Sequence, residues 1–414
     1  MKKEGINKMN VLFLNFGLSG FAGDAVQPAL IAKGLMGLGH KVVFAVPDGD
    51  AYFFDKSKSE SYKPIRKKLL DAKGEYIEIN GISILPIHCT SEKLGYYCPD
   101  AKKIAKKILP EFDVIYCLNW YYHLAMSFSK IAHELKIPFI IAAMAAFEKP
   151  AHSLKSSRKK ILDLMYTKKL FKNAGGFHSV GDLETETYTK LGAETERIFR
   201  IDHGILPENF QIKNRTGILE KNGIDISKQS YLYNVGRIDP KKGIELLLES
   251  FAKISKNHKN LLLVITGTGI KKYVDEMKEL AKKLEINNIV KFTGFVSEDA
   301  KLELFESAKL HVVTSHSDVH TTTAIESLAM GVPVIITKAS DFPEIDEYKA
   351  GMTVNSDSDS VCRAVEELLN DKEKLEGYSK NAKKLSDEKF LLKNKIKEYE
   401  SMFKDVIEEY RKRK

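Results

Sequence analysis

Two carboxylates and a run of threonines are concentrated in the stretch 310–335, LHVVTSHSDVHTTTAIESLAMGVPVI. Asp318 and Glu326 stand eight positions apart, and three threonines lie between them: Thr321, Thr322 and Thr323. The pattern predicts a strand, a polar turn, a helix and a second strand. Free N–H groups and hydroxyls at a helix start can hold phosphate, and a carboxylate about one turn further on can accept ribose hydroxyls. An ordinary α/β unit with threonine caps has the same pattern, so other motifs are needed to distinguish a nucleotide-binding site from such a unit.

A second set of useful side chains lies in the stretch 231–254, YLYNVGRIDPKKGIELLLESFAKI. The pattern predicts a strand that ends at Gly236, then a turn, then a helix with apolar spacing. Arg237 and Lys242 flank the turn and can direct two cations at one strand end, as a diphosphate leaving group requires. Alternatively, Lys242 is a solvated surface lysine.

Glycines follow several other predicted strands. The first strand leads into a turn that contains Gly20, where a ligand can approach the backbone. The spacing in that turn is not G-x-G-x-x-G, so the dinucleotide-binding fingerprint is absent. Gly267 lies in ITGTG and Gly294 in FTGF; at the latter the backbone can read a base edge and Phe295 can pack on the base. Taken singly, each glycine is more often simply part of a turn.

Histidines and the single tryptophan are further candidates. His311 lies in a predicted strand, which indicates a core position, whereas His316 and His320 flank Asp318 and could contact sugar or phosphate. Trp120 follows a predicted strand and could stack on a sugar ring or belong to the core, and its position favours stacking.

Length and composition indicate an ordinary globular protein. The 414 residues, 43% hydrophobic and 29% charged, suggest two domains. No apolar run reaches the roughly 18 residues needed to cross a membrane, and the N-terminal apolar run is too short for a signal peptide. The four scattered cysteines fit no zinc site and indicate free thiols in a reducing cytoplasm.

The net charge of +9 is concentrated in the first half, since residues 1–205 carry +8. Basic pairs and runs in that half are Lys2-Lys3, Lys67-Lys68, Lys102-Lys103, Lys106-Lys107, Arg158-Lys159-Lys160 and Lys168-Lys169. They are either solvated helix faces or a basic surface for anionic lipid headgroups, which would place the protein at the inner face of the membrane. Nucleic acid is not expected as a partner, because no recognised binding motif accompanies the charge.

Both halves alternate short apolar strands with helical segments, which predicts parallel α/β sheets. A region with little periodicity after residue 205 predicts a boundary between domains at 1–205 and 206–385. The segment 386–414 predicts a C-terminal helix that could cross back to the first domain. Two such open sheets bind ligands at the carboxyl ends of their strands, where the candidates above lie.

The succession NVGRIDPKKG, ITGTG, VKFTGFVSEDAKLELFESA and SDVHTTTAIESLAMGVPVI resembles the group 1 family of retaining glycosyltransferases with the GT-B fold, two Rossmann-like domains facing across a cleft. The resemblance covers the C-terminal half in order and the first half more weakly. It implies that the C-terminal domain holds a nucleotide-sugar donor and the N-terminal domain holds an acceptor. No metal or other cofactor is implied, because two cations neutralise the diphosphate.

By this resemblance, Arg237 and Lys242 bind the diphosphate and support its departure, and Glu326 holds the ribose. Phosphate and sugar contacts come from Thr321, Thr322 and Thr323. Apart from the resemblance, the positions of Gly20, Gly236, Gly267 and His320 place them among the expected donor-binding residues. The base meets Gly294 and Phe295. Asp318 stands where the family usually has a glutamate, and being one methylene shorter it is expected to position the donor rather than attack it.

The sequence therefore predicts a retaining glycosyltransferase with a glycan, lipid-linked or cell-envelope acceptor. A nucleotide-sugar epimerase or phosphorylase of the same fold is an alternative within enzymes. A non-catalytic subunit that binds a nucleotide sugar is an alternative from another class, because several first-domain motifs of the family are altered here.

Overall fold

A computed structural model describes residues 8–15, 23–48, 59–90, 96–144, 146–147, 167–319 and 321–413. The chain divides into two compact units, Met1–Gly204 with Leu392–Lys414, and Ile205–Leu391. This division falls one residue before the boundary expected from the sequence. The terminal segment that belongs to the first unit begins at Leu392, whereas the sequence placed it at 386.

The sheet of the first unit contains eight strands among the described residues. In chain order they are β1 (Asn10–Leu14), β2 (Lys41–Pro47), β3 (Ile77–Ile79), β4 (Ile82–Ile87), β5 (Val114–Leu118), β6 (Phe139–Ala142), β7 (Gly176–Ser179) and β8 (Ile198–Arg200). The spatial order is β3-β4-β2-β1-β5-β6-β7-β8, and β3 alone pairs antiparallel. The apolar run VIYCL of β5 is buried along its whole length, as expected of a central parallel strand covered on both faces.

Helices of the described part of the first half are α1 (Gly23–Gly37), α2 (Ser59–Asp71), α3 (Ala101–Ile108), α4 (His123–Glu134), α5 (Lys168–Asn173) and α6 (Asp182–Lys190). Helix α3 shows how the pattern selects a face. Ala101, Ala105 and Ile108 recur at helical spacing and are buried, while the lysines between them are exposed.

The second unit contains a parallel sheet whose strands within 205–319 and 321–391 are β9 (Ser230–Val235), β10 (Leu261–Thr266), β11 (Val290–Gly294), β12 (Leu310–Val313), β13 (Val334–Thr337) and β14 (Gly351–Val354). Their spatial order is β11-β10-β9-β12-β13-β14. The chain builds the sheet outward from β9 to one edge, then returns and builds from β12 to the other. The loops after β9 and β12 therefore diverge, and ligands bind at such a switch point in open α/β sheets.

The helices of this unit are α7 (Ile218–Lys221), α8 (Ile244–Asn257), α9 (Lys271–Lys283), α10 (Glu298–Ser307), α11 (Thr322–Ala329), α12 (Glu344–Glu347), α13 (Ser358–Leu369) and α14 (Lys372–Lys389). The apolar spacing predicted for α8 is confirmed, since Ile244, Leu247, Leu248 and Phe251 are all buried. A single turn of 3-10 helix, Pro240–Lys242, precedes α8 and shapes the loop after β9.

The last helix, α15 (Leu392–Lys412), packs within the first unit. Ile396 lies so close to Gly34 on α1 that a Cβ at Gly34 would stand 2.3 Å from the isoleucine side chain. Nε2 of His40 lies 3.0 Å from Oε1 of Glu400, which adds a polar contact at the same interface. The side chains of α15 that face inward, including Tyr399 and Phe403, are buried.

Most strands expected from the sequence are present at the expected positions. The sequence analysis missed β3 and β8, each three residues long and therefore without a readable alternation of apolar and polar positions.

Candidate functional site

The turns after β9, β10 and β11 lie side by side at the carboxyl edge of the second sheet. The N–H of Gly236 donates to the carbonyl of Thr266 at 3.0 Å, and the N–H of Gly267 donates to the carbonyl of Gly294 at 2.8 Å. A Cβ at Gly267 would lie 1.8 Å from the carbonyl oxygen of Gly236, and Gly267 has a φ of +137°. Glycine is required there because two backbones touch. The same close packing leaves the strand ends open to a ligand.

Lys242 ends the 3-10 turn that follows β9. A carboxylate oxygen of Asp239 caps this turn by accepting the N–H of Lys241 at 2.9 Å. Gly243 follows with a φ of +61°, and a Cβ there would stand 2.1 Å from the carbonyl oxygen of Thr314. The hydroxyl of Thr314 donates to the Gly243 carbonyl at 2.7 Å. These contacts fix the loop that carries Lys242 against the end of β12, across the switch point.

The ammonium of Lys242 forms an ion pair with Oδ2 of Asp318, and both side chains are mostly buried. The backbone of Asp318 is held by its N–H, which donates to the carbonyl of Ala339 at 2.9 Å. Oδ1 accepts the N–H of Val319 at 3.2 Å. Burial alone would raise the pKa of Asp318, but the charge and hydrogen bond of Lys242 outweigh it, and the pKa lies below its ordinary value. Asp318 is therefore a bound carboxylate rather than a free one.

A small cavity opens between the ends of β9 and β12 and the start of α11. It is lined by Asn234, Val235, Gly236, Arg237, Lys242, Val313, Ser315, Thr321 and Thr323. The structure thus brings together five residues that the sequence analysis selected, from two separate motifs. Asn234 and Ser315 were missed, because a lone asparagine or serine carries no pattern that marks it in a sequence.

The side chain of Arg237 is 69% exposed. Its Nε lies 3.7 Å from Oδ2 of Asp239, a contact at the limit of an ion pair. Lys242 by contrast is held in place by Asp318. The two cations expected at the strand end are both present, one fixed and one extended toward solvent.

The threonines surround the first turn of α11. Thr321 precedes the helix and is buried, and its hydroxyl lies 3.2 Å from the hydroxyl of Thr323. Nε2 of His311 lies 3.4 Å from the same Thr323 hydroxyl, while its Nδ1 lies 3.0 Å from the carbonyl of Tyr233. No described side chain caps the helix start, and the positive end of the helix borders the cavity.

Glu326 lies one turn further along α11, on the same face as Thr322. Its Oε1 lies 3.0 Å from Nζ of Lys301 on α10, whereas its Oε2 is buried without a hydrogen-bond partner among the described residues. Burial raises the pKa of Glu326 above its ordinary value, and the Lys301 charge opposes this rise. The sequence analysis missed Lys301, although it lies in the quoted motif VKFTGFVSEDAKLELFESA.

Gly294 ends β11 with a φ of +73°, and Phe295 follows it with a side chain that is 56% exposed. An aromatic side chain with this exposure can pack against a planar ligand. Two other selected residues, Gly20 and His320, lie outside the described residues.

Two expectations about aromatic residues have different outcomes. His311 is fully buried, so its predicted core position is confirmed. The preference for Trp120 as a sugar platform is wrong, because Trp120 is fully buried and its indole N–H donates to the Thr167 hydroxyl at 3.1 Å. Its ring packs on Phe147 and Phe171 in the core of the first unit.

Comparison with known proteins shows which family the residues around this site resemble. Residues 218–385, which include every second-unit residue discussed above, match the family described as glycosyl transferases group 1. The resemblance to group 1 glycosyl transferases indicated by the motifs is thus confirmed for this part of the chain. The match supports sugar transfer as the activity of this chain.

Relatives extend the likeness beyond the matched region. The glycosyltransferase is 26% identical over 346 residues to the uncharacterized glycosyltransferase MJ1607 of Methanocaldococcus jannaschii, covering 81% of this chain and 87% of that one. It is also 26% identical over 215 residues to alpha-monoglucosyldiacylglycerol synthase of Streptococcus pneumoniae, covering 50% of this chain and 47% of that one.

Among solved structures, Anabaena Alr3699/HepE in complex with UDP and glucose matches with a TM-score of 0.71 at 16% identity, covering 95% of this chain and 98% of that one. This likeness shows the fold, which is GT-B. Within the part of the chain that the structure describes, no three His, Cys, Asp or Glu side chains are grouped to hold a metal ion. No helix of that part combines the length and apolar character needed to cross a membrane.

Proposed function

We propose that this glycosyltransferase moves a sugar from a nucleoside diphosphate donor to a glycan or lipid-linked acceptor, with retention at the anomeric carbon and without a metal. The observation that supports this most directly is the cavity at the switch point, where Arg237, Lys242 and the start of α11 converge. Each of these is positive, and a diphosphate is the group whose charge they complement.

The donor would lie with its diphosphate between Lys242 and the first turn of α11. As the bond from the anomeric carbon to the diphosphate oxygen breaks, negative charge grows on that oxygen, and the fixed ammonium of Lys242 stabilises it. Arg237 reaches the same group from the solvent side. The acceptor hydroxyl oxygen bonds to the anomeric carbon in place of the departing oxygen, and its proton passes to that oxygen of the diphosphate. Two cations supply the neutralisation, so the proposed reaction needs no metal.

The rest of the donor follows from the neighbouring residues. Glu326 has a carboxylate oxygen without a hydrogen-bond partner among the described residues, and it lies one turn along α11 from the phosphate position, which suits a ribose hydroxyl. The backbone at Gly294 and the exposed ring of Phe295 suit a base. Uracil is the first base to test, because the solved neighbour of the same fold binds UDP.

Thermal shift with UDP, GDP, ADP and their common sugars tests the donor site, since a ligand at about 100 times its dissociation constant adds ~2.7 kcal/mol to the free energy of unfolding. We expect one nucleoside diphosphate series to stabilise the protein without added metal. Turnover of the stabilising donor with glycan and lipid acceptors, followed by NMR of the product anomer, tests transfer and retention. Stabilisation by none of the nucleotides, or an inverted product, would overturn the proposal.

We further propose that α3 contributes to binding of an anionic membrane that carries the acceptor. Its buried face contacts the first unit, and its outward lysines are exposed: Lys102, Lys103, Lys106 and Lys107. Each basic residue at such a surface adds only about 1 kcal/mol, so four together matter. Cosedimentation with phosphatidylglycerol vesicles at low salt should fall sharply in a variant with all four changed to Glu. A matched control changes Lys271, Lys272, Lys282 and Lys283 on α9 to Glu, and equal binding by all three proteins would contradict the proposal.

A further inference from the structure

Lys301 on α10 makes two ionic contacts of different kinds. Its Nζ lies 3.0 Å from Oε1 of Glu326 and 2.8 Å from Oε2 of Glu298. Glu298 is 84% exposed, so water screens that contact. Lys301 and Glu326 are mostly buried, and their attraction is therefore much less screened. The pair joins α10 to α11 through two residues that are 25 positions apart in the chain.

The two oxygens of Glu326 have different surroundings. Oε1 accepts from Lys301, whereas Oε2 has no hydrogen-bond partner among the described residues and is buried. A buried acceptor without a donor is costly, and such atoms in native proteins commonly mark a place where a ligand or another group completes the hydrogen bonding. Glu326 therefore keeps acceptor capacity that no described residue uses.

Other groups around Glu326 work against its charge. Glu298 on α10 adds a second negative charge, whereas the Tyr233 hydroxyl on β9, near the same carboxylate, stays neutral because burial raises its pKa. Burial also disfavours the charged form. Lys301 is the positive group that faces Glu326 from α10 and counters these effects, so the carboxylate depends on it to stay ionised and in one orientation.

We propose that Lys301 is a positioning residue that holds Glu326 ionised and aligned, so that Glu326 discriminates nucleotides that carry ribose hydroxyls from those that lack them. The inference rests on the proposed function, since it assigns a role within the donor site. Lys301 does not touch the nucleotide in this scheme. Its effect passes through Glu326, and it should vanish when the ligand has no hydroxyl for Glu326 to bind.

The test compares the dissociation constants of UDP and 2′,3′-dideoxy-UDP, measured by calorimetry at pH 7.5. The wild-type protein should bind UDP tighter by about tenfold or more, the scale of a hydrogen bond to a charged group. In Lys301→Met, UDP binding should weaken and its advantage over dideoxy-UDP should shrink severalfold, while dideoxy-UDP binding is unaffected. Glu326→Gln should behave in the same way, and Lys301→Arg, which keeps the charge, should retain most of the discrimination. Glu298→Gln is the matched control and should keep the wild-type ratio.

A pH series supplies a readout that a purely structural role would not change. Without Lys301 the Glu326 carboxyl takes up a proton more readily, so UDP binding to Lys301→Met should weaken as the pH falls from 8 to 6 more steeply than in the wild type. If Lys301→Met binds UDP with undiminished discrimination, the inference is wrong and the donor site stands. If the wild type binds neither nucleotide, the proposed donor site itself fails for uridine nucleotides. If the methionine variant does not fold, loss of discrimination in Lys301→Arg would overturn the inference.

Discussion

The ammonium of Lys242 and the carboxylate of Asp318 form an ion pair across the switch point of the second sheet, 76 residues apart in the chain. Lys242 comes from the loop after β9 and Asp318 from the loop after β12. Both oxygens of Asp318 have partners within the protein, since the other accepts the N–H of Val319. The cation proposed to meet the diphosphate is thus held in place by an internal anion that competes for it.

Replacing Asp318 by Asn separates the two roles of this ion pair. Lys242 would lose its counter-charge while remaining mostly buried, so the free energy of unfolding should fall by ~1–3 kcal/mol. UDP should bind about tenfold tighter, because the diphosphate no longer competes with a carboxylate for the same cation, whereas turnover should fall because Lys242 is less well positioned. Urea unfolding, calorimetry and initial rates measure the three effects. Asp318→Glu keeps the charge as a control, and weaker UDP binding by the Asn variant would contradict the competition.

The diphosphate clamp predicts a loss of catalysis when either cation is removed. Lys242→Ala and Arg237→Ala should each lower kcat/KM by ~10²-fold or more, the scale seen when one stabilising group is removed from a transition state. Lys241→Ala is the control. It removes the same charge, but from the neighbouring side chain, which does not line the cavity. Unchanged kcat/KM in both cavity variants would show that the clamp is wrong.

Phe295 predicts an effect on nucleotide binding without an effect on stability. Its ring is 56% exposed, so Phe295→Ala should change the free energy of unfolding by less than about 0.5 kcal/mol. Stacking on a base contributes ~1–3 kcal/mol, and the variant should bind UDP correspondingly more weakly while binding pyrophosphate normally. Ile270→Ala, at an apolar side chain that is 59% exposed, provides the comparison. Equal losses for UDP and pyrophosphate would argue against a base contact.

Replacing glycine by alanine should have opposite effects on stability at Gly267 and Gly377. Gly267→Ala would place a Cβ 1.8 Å from the Gly236 carbonyl oxygen at a positive φ, and the free energy of unfolding should fall by more than about 3 kcal/mol. Gly377 lies in α14, where a Cβ would have no described atom within 4 Å. Gly377→Ala should therefore raise the free energy of unfolding by ~0.5–1 kcal/mol. Denaturant unfolding measures both, and a tolerated Gly267→Ala would mean that the two turns can separate at little cost.

His178 predicts a loss of stability in mild acid. Burial lowers its pKa to about 4, and its Nδ1 lies 2.7 Å from the Tyr116 hydroxyl while its Nε2 lies 2.9 Å from the Ile201 carbonyl. Below an ordinary pKa near 6.5 the unfolded chain takes up a proton that the folded protein excludes. The free energy of unfolding should therefore fall as the pH drops from 6.5 to 4, by up to ~3 kcal/mol.

Trp120 is the single tryptophan of the chain and lies in the core of the first unit, so its fluorescence reports unfolding there. His178→Gln should be less stable at pH 7, where a hydrogen-bonded imidazole is lost, but its stability should depend less on pH between 6.5 and 4. An identical pH slope in the two proteins would exclude His178 as the source. His311, whose pKa burial likewise lowers to about 4, lies in the second unit and is not reported by this signal.

The sequence predicted the strands well where the chain is apolar without interruption. Runs such as VIYCL in β5 and LLLVIT in β10 are legible because a central parallel strand is buried on both faces and excludes polar residues. The candidate donor residues were found for a related reason. Glycines, cations and threonines directly after such runs fall at the carboxyl ends of parallel strands, and these ends share one edge of a sheet.

The tertiary structure decided which strand ends are neighbours and what each polar side chain contacts. Only the order β10-β9-β12 brings the loop of Lys242 against that of Asp318, and only the packing of α10 beside α11 gives Glu326 its partner Lys301. Trp120 follows a strand end, as the sequence indicated, but its side chain is buried in the core of the first unit. Local pattern fixes burial along a strand because each residue's environment repeats every two positions. Contacts between loops depend on chain segments dozens of residues apart, and no periodicity within either segment encodes them.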